Sequence, residues 1–370
     1  MRLNTTILGN PQAVTTTQDL FGTGIFYTVP LFTGFAQTRQ IEMDAIASRL
    51  SQSKLHLTQE QLVYNIASLY LSILALQDMT YAQRKHVAAL KKLKSNIEKE
   101  VSFGKKALID LLKVENDLYG NIAYLEVLKS NIETTRASLA SLAGKDRIGA
   151  VESVHVSVHK PDQSIYALLR QAASLDRVAI ADMNVRKAGK GIEKSEASKL
   201  PQISFSSYYG YNYGENQSGF VPYDGKFESE QNWQVGVNAK WTLFDFGKSD
   251  IATQKAKIAQ MQARDDREQT MRDLRKSLVE ANAKLKQTYA NYQANLKQYR
   301  LAKTSEKIEA VRYHNGASTI NDLLYAKSQT HIASAKMIES KYNYQKGKFY
   351  LDYLMERGIQ HSTHTNGERK

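Results

Sequence analysis

Two stretches of this chain repeat each other at a fixed distance. Leu31-Phe32-Thr33 is matched by Leu243-Phe244-Asp245, Gly104 by Gly316, and Asp110-Leu111-Leu112 by Asp322-Leu323-Leu324, always 212 residues apart. Leu62 with Leu274 and Leu142 with Leu354 keep the same separation, so no insertion or deletion intervenes. A repeat of this length is one structural unit used twice. Whatever fold one copy adopts, the other must share.

The punctuation of the two copies defines that unit. All five prolines, Pro11, Pro30, Pro161, Pro201 and Pro222, lie outside the tracts 35–142 and 248–354. Proline breaks helix interiors, so both tracts permit long continuous helices. Gly104 and Gly316 divide them, predicting first helices over 35–103 and 248–314, each roughly 100 Å long at 1.5 Å per residue. In the first return helix Leu111, Leu118, Leu125, Ile132 and Leu139 stand seven apart, and Val114, Asn121, Leu128, Thr135 and Leu142 follow each by three. A seven-residue repeat winds a helix left-handedly around a neighbour. Each copy therefore reads as an antiparallel coiled-coil hairpin.

Ahead of the second hairpin the period changes to two. Trp233, Val235, Val237, Ala239, Trp241 and Leu243 are apolar, and Asn232, Gln234, Gly236, Asn238, Lys240 and Thr242 between them are polar or small. Such a strand has one apolar and one polar face. Aromatic residues at both ends of the apolar face suit a lipid-facing barrel strand with interfacial girdles, although a soluble sandwich strand alternates too. Upstream, Ile203, Phe205, Tyr209, Tyr211 and Tyr213 share a face, with 214–231 as the hairpin loop between. In the first copy Ile25, Tyr27, Val29 and Leu31 are in phase with Val237, Ala239, Trp241 and Leu243. The counterpart of Pro201 falls before residue 1, so most of one strand and a signal segment are expected upstream of Met1. Between the copies, 144–158 reads as irregular or short strand. Pro161 then opens an amphipathic helix with Ile165, Leu168, Leu169, Ala172 and Leu175 on one face, ending over 187–199. The expected organisation is barrel strands in 1–33 (N-terminally incomplete), a helical hairpin in 34–143, a linker with a helix in 144–199, a strand hairpin in 200–245, a second helical hairpin in 246–357 and a polar tail in 358–370.

Composition removes several functions. The chain has no cysteine, which excludes a disulfide, a zinc–thiolate site and a thiol nucleophile. The net charge of +13, from 50 basic and 37 acidic residues, allows an anionic partner, but Lys and Arg are scattered at helical spacing among acids, as on solvated faces. No run of 18 apolar residues exists, so no helix is expected to span a bilayer, and a crossing would be made by a barrel. His361 and His364 lie in the polar tail. His155 and His159 are four apart but outside any predicted helix. Gly189-Lys190-Gly191 lacks phosphate-loop spacing, and the tyrosines in 208–213 suit a girdle better than base stacking. No catalytic constellation, cofactor or metal site is expected.

With these residues in place, the chain resembles the TolC-family outer-membrane efflux proteins over 21–358. The resemblance is carried by the joins Leu31-Phe-Thr-Gly34 and Leu243-Phe-Asp-Phe-Gly247, and by the turn Tyr313-His-Asn-Gly316-Ala-Ser-Thr-Ile-Asn-Asp322-Leu-Leu. Phe103-Gly104-Lys-Lys-Ala-Leu-Ile-Asp110-Leu-Leu is its weaker first copy. The resemblance implies a mainly α fold with a β-barrel portion. In it, a homotrimer forms a 12-stranded outer-membrane barrel, four strands per chain, continued by a periplasmic α-barrel. It further implies a passive, gated conduit in a tripartite efflux or type I secretion system, partnered by a periplasmic adaptor and an inner-membrane pump, without nucleic acid or cofactor. Ile203, Phe205, Tyr209, Tyr211, Trp233, Val235, Val237 and Trp241 would face lipid, and the polar face the lumen. The Gly104 and Gly316 turns would form the periplasmic tip where adaptor hairpins dock. Asp322 matches the position of a carboxylate ring across the pore, and Tyr313 and Asp110 match positions that can bind each other to hold the tip shut. Tyr325 stands where some members add a second Asp, and Ser318 where an Arg could tie the tip. Asp110 and Asp322 are also first-turn acids favoured by the helix dipole. The rival reading is a soluble basic coiled-coil scaffold for anionic membranes or nucleic acid; it leaves the Trp-rich alternation and the duplication unexplained.

Overall fold

The computed structural model describes residues 20–152, 154, 156–161, 164–214 and 228–358. The expected tail with His361 and His364, residues 215–227 of the expected hairpin loop, His155 and the first-copy residues before Leu20 lie outside them; the ends of the loop expected over 214–231 are strand instead, at Gly214 and from Glu228 on. The chain forms two compact units, Met1–Arg49 with Met183–Arg264, and Leu50–Asp182 with Asp265–Lys370. It is mostly helical with one small sheet. The elements are β1 (Leu20–Phe32), α1 (Ala36–Ser102), α2 (Leu108–Leu142), α3 (Ile165–Gln171), α4 (Asp176–Glu196), β2 (Gln202–Gly214), β3 (Glu228–Lys240), α5 (Lys248–His314) and α6 (Ile320–Leu354). The duplication is carried into the backbone residue for residue. Both α1 and α5 have 67 residues, and both α2 and α6 have 35.

In the second unit the helices bury their apolar stripes against one another. Ile97 and Val114 meet Ile320 and Leu323 near the turns, and Leu71 and Leu74 meet Ile338 and Tyr342 further along. Leu274, Leu278 and Leu285 of α5 join Leu351 and Leu354 of α6 with Leu168, Leu175 and Val178. Burying a side chain such as Leu90 or Leu278, both 0 % exposed, contributes about 1.5–3 kcal/mol. The α2 heptad buries Val114, Leu118, Leu128, Ile132 and Leu139. One of its two polar members, Asn121, accepts from the buried Gln83 amide through its side chain at 3.0 Å and its carbonyl at 2.8 Å. A polar pair in an apolar seam fixes register. One stretch of α1 is, contrary to the sequence expectation, long and apolar enough to cross a bilayer by length and composition. Only 17 % of that stretch is buried within the chain.

Two sequence expectations for this unit are corrected. The helix expected from Pro161 begins at Ile165, and it stops in a short 3-10 turn at 172–174, where Leu175 becomes extended. A new helix, α4, starts at once, because Glu356 accepts hydrogen bonds from the Asp176 and Arg177 amides at 2.6 and 3.2 Å. That satisfies donors every helix N-terminus leaves open. Leu168, Ala172 and Leu175 still share one buried cluster. The alternative of a short strand over 144–158 is not realised in the described residues, which cross α1 and α6 as an irregular strap. Tyr70 donates to the Glu152 carbonyl at 2.7 Å, and Tyr344 donates to that of His159.

The first unit holds an antiparallel sheet in the order β1-β2-β3. Its register sets Ile25, Tyr209 and Trp233 side by side, then Tyr27, Ser207 and Val235, then Val29, Phe205 and Val237. Leu31 does not continue this row. The ladder slips between Pro30 and Phe32, where proline has no N–H to give. β3 also ends at Lys240, before Trp241 and Leu243. Beyond it, the Asp245 carboxylate accepts the Ser249 amide at 2.9 Å and also binds its hydroxyl. The chain must therefore turn early to start α5.

Candidate functional site

The hairpin turns are built by one hydrogen-bond pattern. Gly104 N–H donates to Val101 at 2.9 Å and Lys105 N–H to Glu100 at 2.8 Å; Gly316 and Ala317 do the same to Tyr313 and Arg312 at 3.1 and 2.8 Å. The pattern needs a left-handed residue after the helix. Gly104 and Gly316 supply it, at φ 71° and 72°. No atom lies within 4 Å of where a Cβ would stand, so backbone conformation alone selects glycine there.

Each predicted turn residue has a defined place. Asp322 is the third residue of α6 and closes a reciprocal cap with Thr319. Its carboxylate accepts the Thr319 amide and hydroxyl at 3.0 and 2.7 Å, and its amide donates back to the Thr319 hydroxyl oxygen at 3.3 Å. These bonds hold the Asp322 carboxyl below its usual range. The side chain is exposed beside Tyr325, itself 68 % exposed, in an open cleft of about 330 Å3 that includes Arg312 and Glu309. Asp110 occupies the same helical position in α2, but Ala107 offers it no side-chain cap.

Tyr313 packs with Ile97, Ile320 and Leu323. Its hydroxyl has no hydrogen-bond partner among the described residues, Asp110 included. Lys106, unremarked in the sequence, sits over the Tyr313 ring at 4.4 Å, in the range of a cation–π contact. Burial pushes the Tyr313 phenol up, and Lys106 opposes it. The Ser318 hydroxyl is buried without a partner among the described residues. The side chain that spans this turn is Arg312, donating to the Ala317 carbonyl at 3.3 Å. Its placement could have been sought in the sequence as a base in the last turn of α5, where cations meet open carbonyls.

The second candidate surface is the apolar face of the sheet. Ile25, Trp233 and Val237 are 76, 68 and 67 % exposed, with Tyr27, Tyr209, Tyr211 and Val235 also exposed and Ile203 and Phe205 half-buried. The opposite face carries Ser204, Ser206, Gly210, Gln234, Gly236 and Asn238, with Tyr208 and Phe26 side by side among them. A contiguous exposed apolar face marks a partner or a membrane. Trp241, just past β3, is exposed and anchored by its indole N–H on the Lys199 carbonyl at 3.1 Å.

One cluster has metal-like spacing: His56, Asp176 and Glu356 bring donor atoms within 4.8 Å. Its donors are already engaged. His56 Nδ1 meets Asp176 at 2.7 Å, Ser53 donates to Asp176 at 2.8 Å, and both Glu356 oxygens hold α4 amides. These bonds tie α1, α4 and the end of α6.

Comparison with known proteins places this architecture. Residues 168–352 match the family described as outer membrane efflux protein. The outer membrane protein TolC of Vibrio cholerae is 21 % identical over 331 residues, covering 88 % of this chain and 74 % of that protein. The solved outer membrane protein VceC of Vibrio cholerae superposes with a TM-score of 0.74 at 14 % identity, over 91 % of this chain and 86 % of that one. The open-state MtrE outer membrane channel of Neisseria gonorrhoeae gives 0.72 at 16 %, over 92 % and 81 %. The chain belongs to the outer membrane efflux protein family, the TolC-like transport channels of the Gram-negative outer membrane.

Proposed function

We propose that this chain is the conduit of a tripartite efflux or type I secretion system. Three copies would pool their strands in one 12-stranded barrel and their long helices in a periplasmic α-barrel. The register of the sheet carries this reading. It aligns Ile25, Tyr209 and Trp233, and then Val29, Phe205 and Val237, on one face, as lipid contact requires, and collects mostly small and polar residues on the other, with Phe26 and Tyr208 paired among them. The described sheet also has two outer strands, β1 and β3. Unpaired edges in a bilayer are untenable, and closure with further strands removes them.

The turns at Gly104 and Gly316 form the periplasmic tip and dock the adaptor, which in turn engages an inner-membrane pump. Asp322 serves both as helix cap and, repeated by symmetry, as a carboxylate ring. Tyr313 holds the tip by packing and by Lys106 in place of a bond to Asp110. Opening is a shift of the hairpins, driven by partners that bind the open form more tightly. The protein moves solutes and performs no covalent chemistry.

The test is fractionation of cells expressing the natural full-length protein, followed by conductance in planar bilayers. A detergent-extracted trimer from the outer membrane, with cation block lost in Asp322→Asn, is expected. Asparagine keeps an acceptor for Thr319, so the change reports charge. A soluble cytoplasmic protein would sink the conduit and favour the basic scaffold; an unchanged block would sink the gate alone.

A further inference from the structure

Two of the eight histidines, far apart in sequence, come together inside the helical unit. His86 of α1 and His331 of α6 stack face to face, ring centroids 4.6 Å apart and planes 9° from parallel. We infer that this stack is a proton-binding site whose occupation releases α6 from α1 at acid pH.

The surroundings leave the pair little compensation for positive charge. Facing His86 are His331 and Lys327 of α6 and Glu306 of α5. Glu306 is already bridged to Lys327 at 2.9 Å. Facing His331 is Asp117 of α2, whose Oδ1 is held by Asn121 and whose Oδ2 is buried without a partner among the described residues. Burial pushes the Asp117 carboxyl up, weakening it as a counter-charge. A cavity of about 410 Å3 opens beside the rings and adds Asp78, Tyr81 and Lys85 of α1, and Tyr299 and Lys303 of α5. Asp78 is engaged by Tyr342 at 2.8 Å and Lys341 at 3.8 Å. Both rings are therefore neutral near pH 7. Burial lowers His86 from 6.5 to about 4, and it lowers His331 with Asp117 opposing.

The sign of the linkage follows. Between the ordinary value of 6.5 and about 4, the separated state holds more protons than the stacked one, so the contact weakens as pH falls through that window. A second proton would set two cations face to face. The adjoining cavity gives the charged rings a hydrated space to turn into.

The absence of cysteine makes the test direct. Nitroxide labels at Ala88→Cys and Ile332→Cys report the α1–α6 separation by pulsed electron spin resonance, on the full-length protein in detergent. The expected result is a shift to longer distances between about pH 7.5 and about pH 4.5. The shift should vanish in His86→Phe/His331→Phe, which keeps flat rings without titration. Equal distances at both pH values, or the same shift in the double variant, would overturn the inference. If the double variant does not fold, Asp117→Asn decides: loss of the charge that favours a proton on the stacked His331 must move the wild-type midpoint to higher pH, and an unmoved midpoint overturns the site. The readout does not depend on conduction.

Discussion

The two return helices end in the same way with different residues. After α2, Gly144 adopts φ 63°, and after α6, 212 residues on, Glu356 adopts φ 55°. Both ends close with matching bonds: Gly144 and Lys145 donate to Ser141 and Ala140 at 3.2 and 2.9 Å, and Glu356 and Arg357 to Tyr353 and Asp352 at 3.1 and 2.9 Å. Glycine is the residue the backbone asks for. Glutamate accepts about 1–2 kcal/mol of left-handed strain because its carboxylate caps α4. The joins before the long helices show a related exchange. Gly34-Phe35 and Phe246-Gly247 are both left-handed pairs with the residue types swapped, and only Gly34 is pressed by its surroundings. Identical backbones have thus been kept while side chains took on separate tasks.

The comparison is broken most strongly at Gly34. A Cβ there would lie 2.5 Å from the Ala197 carbonyl and 2.8 Å from Leu200 Cβ, whereas at Gly247 it meets nothing. Gly34→Ala should therefore lose about 2–4 kcal/mol by strain plus overpacking, and Gly247→Ala about 1 kcal/mol. Denaturant unfolding of the two variants checks the ratio; equal losses would mean that conformation alone matters at both joins. Next, Glu356→Ala should lose about 1–3 kcal/mol by stripping two α4 amides of their acceptor. Glu356→Gly should recover part of that loss by relieving strain, and a glycine variant as unstable as the alanine one would show the strain to be negligible. The smallest effect sharpens the contrast at the turns. Ala107 corresponds to Thr319, with Asp110 already at the position of Asp322. Ala107→Thr should complete the missing capping box and add about 0.5–1 kcal/mol, while Thr319→Ala removes about as much from the second copy.

Much of this architecture was legible because its causes are local. Proline-free tracts, glycines at the turns and two distinct periods lie within a few residues of the helix ends and strand faces they determine. What escaped depends on distant groups. The break at Leu175 follows from Glu356 at the far end of another helix, and nothing near Leu175 announces it. Tyr313 was paired with Asp110 by resemblance, but the apolar cluster and Lys106 claim it first. The end of β3 at Lys240 was hidden because alternation continued past the point where the Asp245 cap commits the chain to a helix. The histidine stack joins residues that only the packing of α1 on α6 makes neighbours.

The order of strands in the sheet has a consequence for biogenesis. β1 pairs with β2, yet β2 follows it in the chain only after α1, α2, α3 and α4. The first helical hairpin closes through near neighbours and folds early, while the edge of β1 that takes β2 waits open. Such an edge invites pairing with the wrong chain. That edge stays exposed to other chains until β2 arrives.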